Sequence, residues 1–194
     1  MVENILERIP KPIQGERVVV GIDGLSRSGK TTFVELVKEY LNQENIQVHI
    51  FHLDDYIVEK KRRYHTGNEE WYEYYHLQWD VRWVKENLLN NLKGAKELNL
   101  HTYDADTDTL LEHCISLPET GFIILEGVFL QRKEWRDYFD FMIYLDCPRE
   151  KRFARESKET QQKLNKFLNR YWKAENYYLE TILPKQHADF ILPS

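Results

Sequence analysis

With 194 residues, 42% hydrophobic and 30% charged, the chain has the composition of a single domain that buries on the order of 70% of its unfolded surface. A net charge of −5 disfavours nucleic acid as the main partner and favours small polyanions, and no apolar run approaches the roughly 18 residues of a membrane span. Cys114 and Cys147 are too few and too far apart for a disulfide scaffold or zinc site, the histidines are dispersed, and Glu3, Glu7, Pro10 and Pro12 do not make a secretory signal, so a cytoplasmic protein is expected.

In chain order, residues 17–23 (Arg-Val-Val-Val-Gly-Ile-Asp) read as a buried strand. Gly24-Leu25-Ser26-Arg27-Ser28-Gly29-Lys30-Thr31 then fits the phosphate-binding pattern G-x-x-x-x-G-K-[ST]. Backbone N–H groups of such a loop wrap phosphates, a lysine neutralises their charge and a hydroxyl meets Mg²⁺. Gly24, Ser26, Ser28, Gly29, Lys30, Thr31 and Thr32 are therefore the expected nucleotide contacts, with Thr31 also a metal contact. Phe33, Val34, Val37, Tyr40 and Leu41 recur at intervals of three and four, which predicts an amphipathic helix over 31–42.

A second strand is expected at 47–53, ending on Asp54-Asp55, and an aromatic and charged segment over 56–80 reads as an insertion on the acceptor side. A helix follows at 81–92, then a polar stretch through 102–109. Residues 121–127 and 141–146 are apolar runs suited to central parallel strands, 149–159 and 161–183 read as helical, with a lid at about 149–163, and a last strand falls at 188–192. Strands alternating with helices imply a doubly wound, parallel α/β sheet of the phosphate-loop type. Gly24, Asp54, Glu126 and Asp146 all end strands, and so should converge on one sheet edge, where ligands bind in such folds.

Phosphoryl transfer requires a phosphate cradle, a cation, an oriented nucleophile and charge neutralisation. Asp54 is the base candidate, accepting a proton from an acceptor hydroxyl or holding Mg²⁺ through water; its alternative role is a turn cap. Glu126 is a second carboxylate for Mg²⁺. Asp80 is either a helix N-cap or an acceptor contact, and Tyr103 and Asp104 lie where a loop could face the acceptor. Lys60-Lys61-Arg62-Arg63 is a solvated loop or a clamp for a phosphorylated acceptor. Trp71, Tyr72, Tyr74, Tyr75 and Trp79 are core or lid packing, with one of them available to stack on a ring. Arg149, Arg152 and Arg155 crowd one helix face, which suggests an anion between them; Arg152 and Arg155 are the catalytic candidates. Arg170 is a substrate contact or an exposed helical arginine.

Taken together, these motifs resemble the uridine kinase and phosphoribulokinase-like group of phosphate-loop kinases, which includes pantothenate and nicotinamide riboside kinases. The likeness spans most of the chain and rests on Gly21-Ile22-Asp23-Gly24 with Ser28-Gly29-Lys30-Thr31-Thr32, on His52-Leu53-Asp54-Asp55-Tyr56, on Ile124-Leu125-Glu126-Gly127-Val128, on Leu145-Asp146 with Arg152 and Arg155, and on Ala188-Asp189-Phe190-Ile191. The resemblance implies ATP and Mg²⁺ as cofactors and transfer of the γ-phosphoryl to a hydroxyl of a small, nucleoside-like acceptor. It implies Asp54 as base and indirect Mg²⁺ partner, Lys30 on the phosphates, Glu126 as the other Mg²⁺ partner, Asp80 and Tyr103 at the nucleoside, and Arg152 and Arg155 at the start of a lid. Three positions depart from the group: Arg27 replaces a small residue, Asp108 stands where a histidine is usual, and the lid stretch 156–163 lacks a second group of arginines.

Two other readings remain. One is a nucleotide-dependent switch or ATPase without an acceptor, but the chain has neither D-x-x-G nor [NT]-K-x-D, since Asn165-Lys166-Phe167-Leu168 lacks the acid. The other is a kinase for pantothenate, nicotinamide riboside or a sugar phosphate. No nucleic acid or membrane partner is expected, and a homo-oligomer is left open because the sequence does not fix the oligomeric state.

Overall fold

The computed structural model describes residues 2–194. Among them, the chain forms β1 (Arg17–Gly24), β2 (Val48–His52), β3 (Glu97–Asp104), β4 (Thr109–Ser116), β5 (Gly121–Gly127), β6 (Phe141–Asp146) and β7 (Phe190–Pro193). Five of these make one sheet in the order β2-β5-β1-β6-β7, with every pairing parallel, while β3 and β4 pair antiparallel as a separate hairpin.

The central strands lack polar alternation because both of their faces are covered. Val18, Val20, Ile22, Phe122 and Ile124 pack under α1 (Val2–Leu6) and α2 (Lys30–Gln43), meeting Phe33, Val34, Val37 and Leu41. Val19, Ile123 and Leu125 face the other way, onto Trp79, Leu88, Leu92 and Tyr178 from the segments that follow β2 and β6. Helices on both faces of a parallel sheet make this the expected doubly wound α/β architecture.

Register carries the chemistry to one edge. Ile22 and His52 both lie beside Glu126, and Gly24 lies beside Leu145. The end of β2 can approach β5 because position 127 is glycine: a Cβ there would sit 2.5 Å from Leu53 Cβ.

Three segments differ from the sequence expectations. The polar stretch 102–109 is the tip of the β3–β4 hairpin, whose β3 buries Leu98 and Leu100 while β4 is exposed along almost its whole length. The helix expected over 149–159 stops at Ala154, because Ser157 starts a new turn by accepting the Thr160 N–H at 3.1 Å. The helix expected over 161–183 begins at Leu164 and passes through a widened turn, Phe167–Tyr171, before Trp172–Thr181.

Candidate active site

The phosphate loop leaves β1 at Gly24, where a Cβ would lie 2.7 Å from Ser28 Oγ and 2.9 Å from Leu145 O, so only glycine fits. Gly29 has φ +101° and precedes α2 without any side-chain cap, which leaves the helix N-terminus open to an anion. Lys30 is buried, and among the described residues its one hydrogen bond goes to Leu25 O at 3.3 Å. Burial holds its pKa below the ordinary lysine value, against the pull of Glu126, Asp23 and Asp54. Ser28 Oγ is buried with no partner among the described residues. A buried cation, an orphaned hydroxyl and an open helix end fit a polyphosphate, which supplies the missing negative charge and acceptor oxygens.

Ser26, Arg27, Gly29, Lys30, Thr31 and Thr32 line one side of a cleft of about 730 Å³, and Asp54 and Glu126 lie on its floor. Thr31 Oγ1 donates to Glu126 Oε1 at 3.1 Å, and His52 Nδ1 donates to the same oxygen at 2.8 Å. Burial pushes the Glu126 pKa up, but the His52 hydrogen bond, Lys30 and Thr31 outweigh it, so the carboxylate stays below its ordinary range. His52 is raised in turn by its bond to Glu126. Asp54 reaches water but is walled in by the cleft; this desolvation raises its pKa, with Lys30 opposing. No group of three or more His, Cys, Asp or Glu side chains able to hold a metal ion occurs among the described residues. The donors offered by Thr31, Glu126 and Asp54 suit a hard cation that keeps water and phosphate oxygens in its shell, as Mg²⁺ does.

The three arginines after β6 each have a separate partner within the protein. Arg149 donates to Asn176 Oδ1 at 2.5 Å and stacks on Trp172. Arg152 is buried and bidentate on Glu175, at 2.7 and 2.9 Å, and also donates to Ser26 O at 3.0 Å. Arg155 donates to Arg27 O at 2.8 Å. Arg152 and Arg155 thus line the cleft against the phosphate loop. Arg27 has φ +61°, and its side chain turns out to Glu156 at 3.1 Å, so its bulk stays clear of the cradle.

The remaining candidates lie apart from this floor. Asp80 caps the turn at Val81–Trp83 by accepting the Trp83 N–H at 3.0 Å, and also pairs with Arg62 at 2.9 Å. Tyr103 donates to Asp108 Oδ1 at 2.9 Å, and the Lys60 N–H donates to the same oxygen, also at 2.9 Å. Asp104 accepts the Asp106 N–H within the hairpin turn. Asp146 pairs with Lys185, away from the cleft. Of the basic run, Lys61 meets Glu59, and Arg63 is buried, donating to Val58 O and stacking on Tyr64 and Tyr103. Arg170 is neither exposed nor on the cleft wall: it is 1% exposed and pairs with Glu73 at 3.2 Å. Tyr75 and Trp79 are core, and Tyr74 and Tyr171 reach the cleft.

Comparison with known proteins places this geometry. The sequence matches the Phosphoribulokinase / Uridine kinase family over residues 19–194. The chain belongs to that family. A uridine kinase from Staphylococcus epidermidis is 30% identical over 190 residues, covering 92% of this chain and 88% of its own. A solved structure described as a "Possible Uridine Kinase", from Bacillus stearothermophilus, is 49% identical with a TM-score of 0.86, covering 98% of this chain and 94% of its own. D-glycerate 3-kinase from Cryptococcus neoformans shares the fold alone, at 12% identity and TM-score 0.56, with 95% and 83% of the two chains covered. As a member of the phosphoribulokinase and uridine kinase family, the chain is a kinase that acts on a small-molecule hydroxyl acceptor.

Several residues at this family site escaped the sequence reading. His52 orients Glu126, and its place two residues before Asp54 was the available signal. Asp23, fully buried, accepts from Tyr178 Oη at 2.5 Å and Gln131 Nε2 at 2.9 Å, tying the loop after β5 and the last long helix to the base of the phosphate loop. Glu175, which holds Arg152, gave no local signal. Gln78, on the cleft wall beyond Asp54, gave none either.

Proposed function

We propose that the chain transfers the γ-phosphoryl of ATP, with Mg²⁺, to the hydroxyl of an uncharged, nucleoside-like acceptor such as uridine. The carrying observation is that Asp54 and the Thr31–Glu126 pair stand on one cleft floor beside buried Lys30. In this reading Lys30 and the backbone N–H groups from Gly24 to Thr32 hold the triphosphate, while Thr31 and Glu126 hold the cation, directly or through water. A cation held there would supply neutralisation of the phosphate charge. Asp54, whose basicity desolvation in the cleft increases, accepts the proton of the attacking hydroxyl. Arg152 and Arg155 close the donor side. Asp80 and Tyr103 belong to the acceptor end, where the β3–β4 hairpin meets the segment after β2.

No helix of the described residues is long and apolar enough to cross a membrane, and we assign the protein to the cytoplasm with a small-molecule substrate. The deciding experiment is nucleotide consumption, with product mass, against a panel of nucleosides, vitamin precursors, sugar acids and sugar phosphates. Phosphorylated product from a nucleoside supports the reading. Acceptor-independent hydrolysis with no phosphorylated product sinks it in favour of a switch.

A further inference from the structure

Beyond Asp54, the cleft wall is formed by Ile57, Tyr74, Gln78 and Val128. Gln78 is tightly placed. Its own carbonyl accepts the Val58 N–H at 3.1 Å, and its neighbour Trp79 donates Nε1 to Leu53 O at 2.9 Å, one residue before Asp54. The side chain is placed as well. Arg170 Nη2 donates to Gln78 Oε1 at 3.4 Å, while its Nη1 pairs with Glu73, which also takes the Thr66 N–H at 2.7 Å and the Thr66 hydroxyl at 3.0 Å. Because guanidinium only donates, Oε1 must face Arg170 and the amide Nε2 must face the cleft. Among the described residues nothing accepts from Nε2.

None of the nearby arginines on this side lines the cleft, and each is engaged elsewhere: Arg62 by Asp80, Arg63 by Val58 O and two tyrosine rings, Arg170 by Glu73. Among the described residues, the wall therefore offers the acceptor two neutral donors, the Gln78 amide and the Tyr74 hydroxyl, beside the apolar surface of Ile57 and Val128, with no arginine among these four residues for a phosphate.

Building on the kinase reading above, we infer that Gln78 is a specificity-determining residue whose Nε2 donates to a carbonyl, ring or hydroxyl oxygen of an uncharged acceptor, with Arg170 as its positioning residue. A site built to donate there discriminates against analogues lacking that oxygen, because the amide is left unpaired.

The test compares Gln78→Leu, Gln78→Glu and Arg170→Lys with the unaltered full chain, each first checked for a cooperative thermal transition. Acceptor KM, ATP KM and kcat are measured for the neutral acceptors that the panel turns over. Gln78→Leu should raise acceptor KM about tenfold or more, with ATP KM within about twofold. Arg170→Lys, which keeps a cation for Glu73 but loses the second N–H, should move acceptor KM the same way. Gln78→Glu should shift preference towards acceptors that present a donor. An unchanged acceptor KM in Gln78→Leu, or unaltered protein that prefers phosphorylated acceptors, overturns the inference and leaves the kinase reading standing. Calorimetric binding of the same panel beside a non-hydrolysable ATP analogue separates the two claims. Binding that depends on Gln78 without any transfer keeps the inference and sinks the kinase reading; no binding by any neutral acceptor overturns the inference.

Discussion

Thr31 Oγ1 and Glu126 Oε1, 3.1 Å apart, join the first turn of α2 to the end of β5. Glu126→Gln keeps an oxygen for that contact but removes the charge on which the proposed Mg²⁺ role depends. The Mg²⁺ concentration for half-maximal turnover should rise about tenfold or more at saturating ATP. A titration midpoint equal to that of the unaltered chain would remove Glu126 from the metal site.

The proposed base role ties Asp54 to the nucleophile rather than to the nucleotide. Asp54→Asn should lower acceptor phosphorylation by about 10² to 10⁴-fold, the usual size of general-base catalysis, and leave nucleotide affinity within about threefold. Single-turnover kinetics beside equilibrium nucleotide binding reads both. Transfer at the normal rate would exclude Asp54 as the base.

Arg152 and Glu175 are both buried, so removing one strands the other. Glu175→Ala should cost about 3–5 kcal/mol of stability, or roughly 10 °C in melting temperature for a domain of this length. Glu175→Gln, which retains a hydrogen-bond acceptor, should lose less. Equal melting temperatures across the three proteins would show that the pair contributes nothing to stability.

Glu73 gives the fold a pH dependence of defined sign. Burial alone would raise its pKa, but the Thr66 N–H and hydroxyl, together with Arg170, outweigh this and hold it below the ordinary glutamate value of 4.5. A depressed folded pKa contributes stability that is complete above the unfolded value and lost as pH falls through the folded one. The melting-temperature gap between the unaltered chain and Glu73→Gln should therefore be widest above about pH 5 and close under more acid conditions. A gap that widens on acidification contradicts this assignment.

Arg27 holds left-handed backbone at φ +61°, which costs a residue with a Cβ about 1 kcal/mol. Arg27→Gly relieves that cost while losing an ion pair to Glu156 that is largely solvent-exposed on the arginine side. Stability and nucleotide affinity should both stay near those of the unaltered chain, as read by thermal melts and nucleotide binding. A loss of nucleotide affinity beyond about tenfold would assign Arg27 a direct part in the cradle.

The strand, phosphate loop and helix from Arg17 to Gln43 were readable because phosphate binding dictates both residue types and spacing over one continuous stretch. Glu126 and Asp54 were readable as carboxylates ending apolar runs, a costly placement that calls for a purpose. Arg170 was misjudged for the opposite reason: its partners Glu73 and Gln78 lie 97 and 92 residues away, and no local pattern announces a pair of that kind. The hairpin was missed even though Leu98 and Leu100 alternate with exposed residues, because β4 buries almost nothing and its leucines read as neither face. The helix boundary expected at 159 failed near Ser157, where a cap that starts a new helical turn looks like ordinary polar sequence.

The β3–β4 hairpin stands outside the five-stranded sheet, rooted through Leu98 and Leu100, with Asp108 at its tip gripping Lys60 N and Tyr103 Oη. The hairpin shares no strand pairing with the sheet that carries the phosphate loop, and the outer strand β4 buries almost nothing. Under the proposed acceptor role of Tyr103, changes confined to the twenty residues 97–116 would alter acceptor preference while leaving the phosphate loop and the five-stranded sheet untouched.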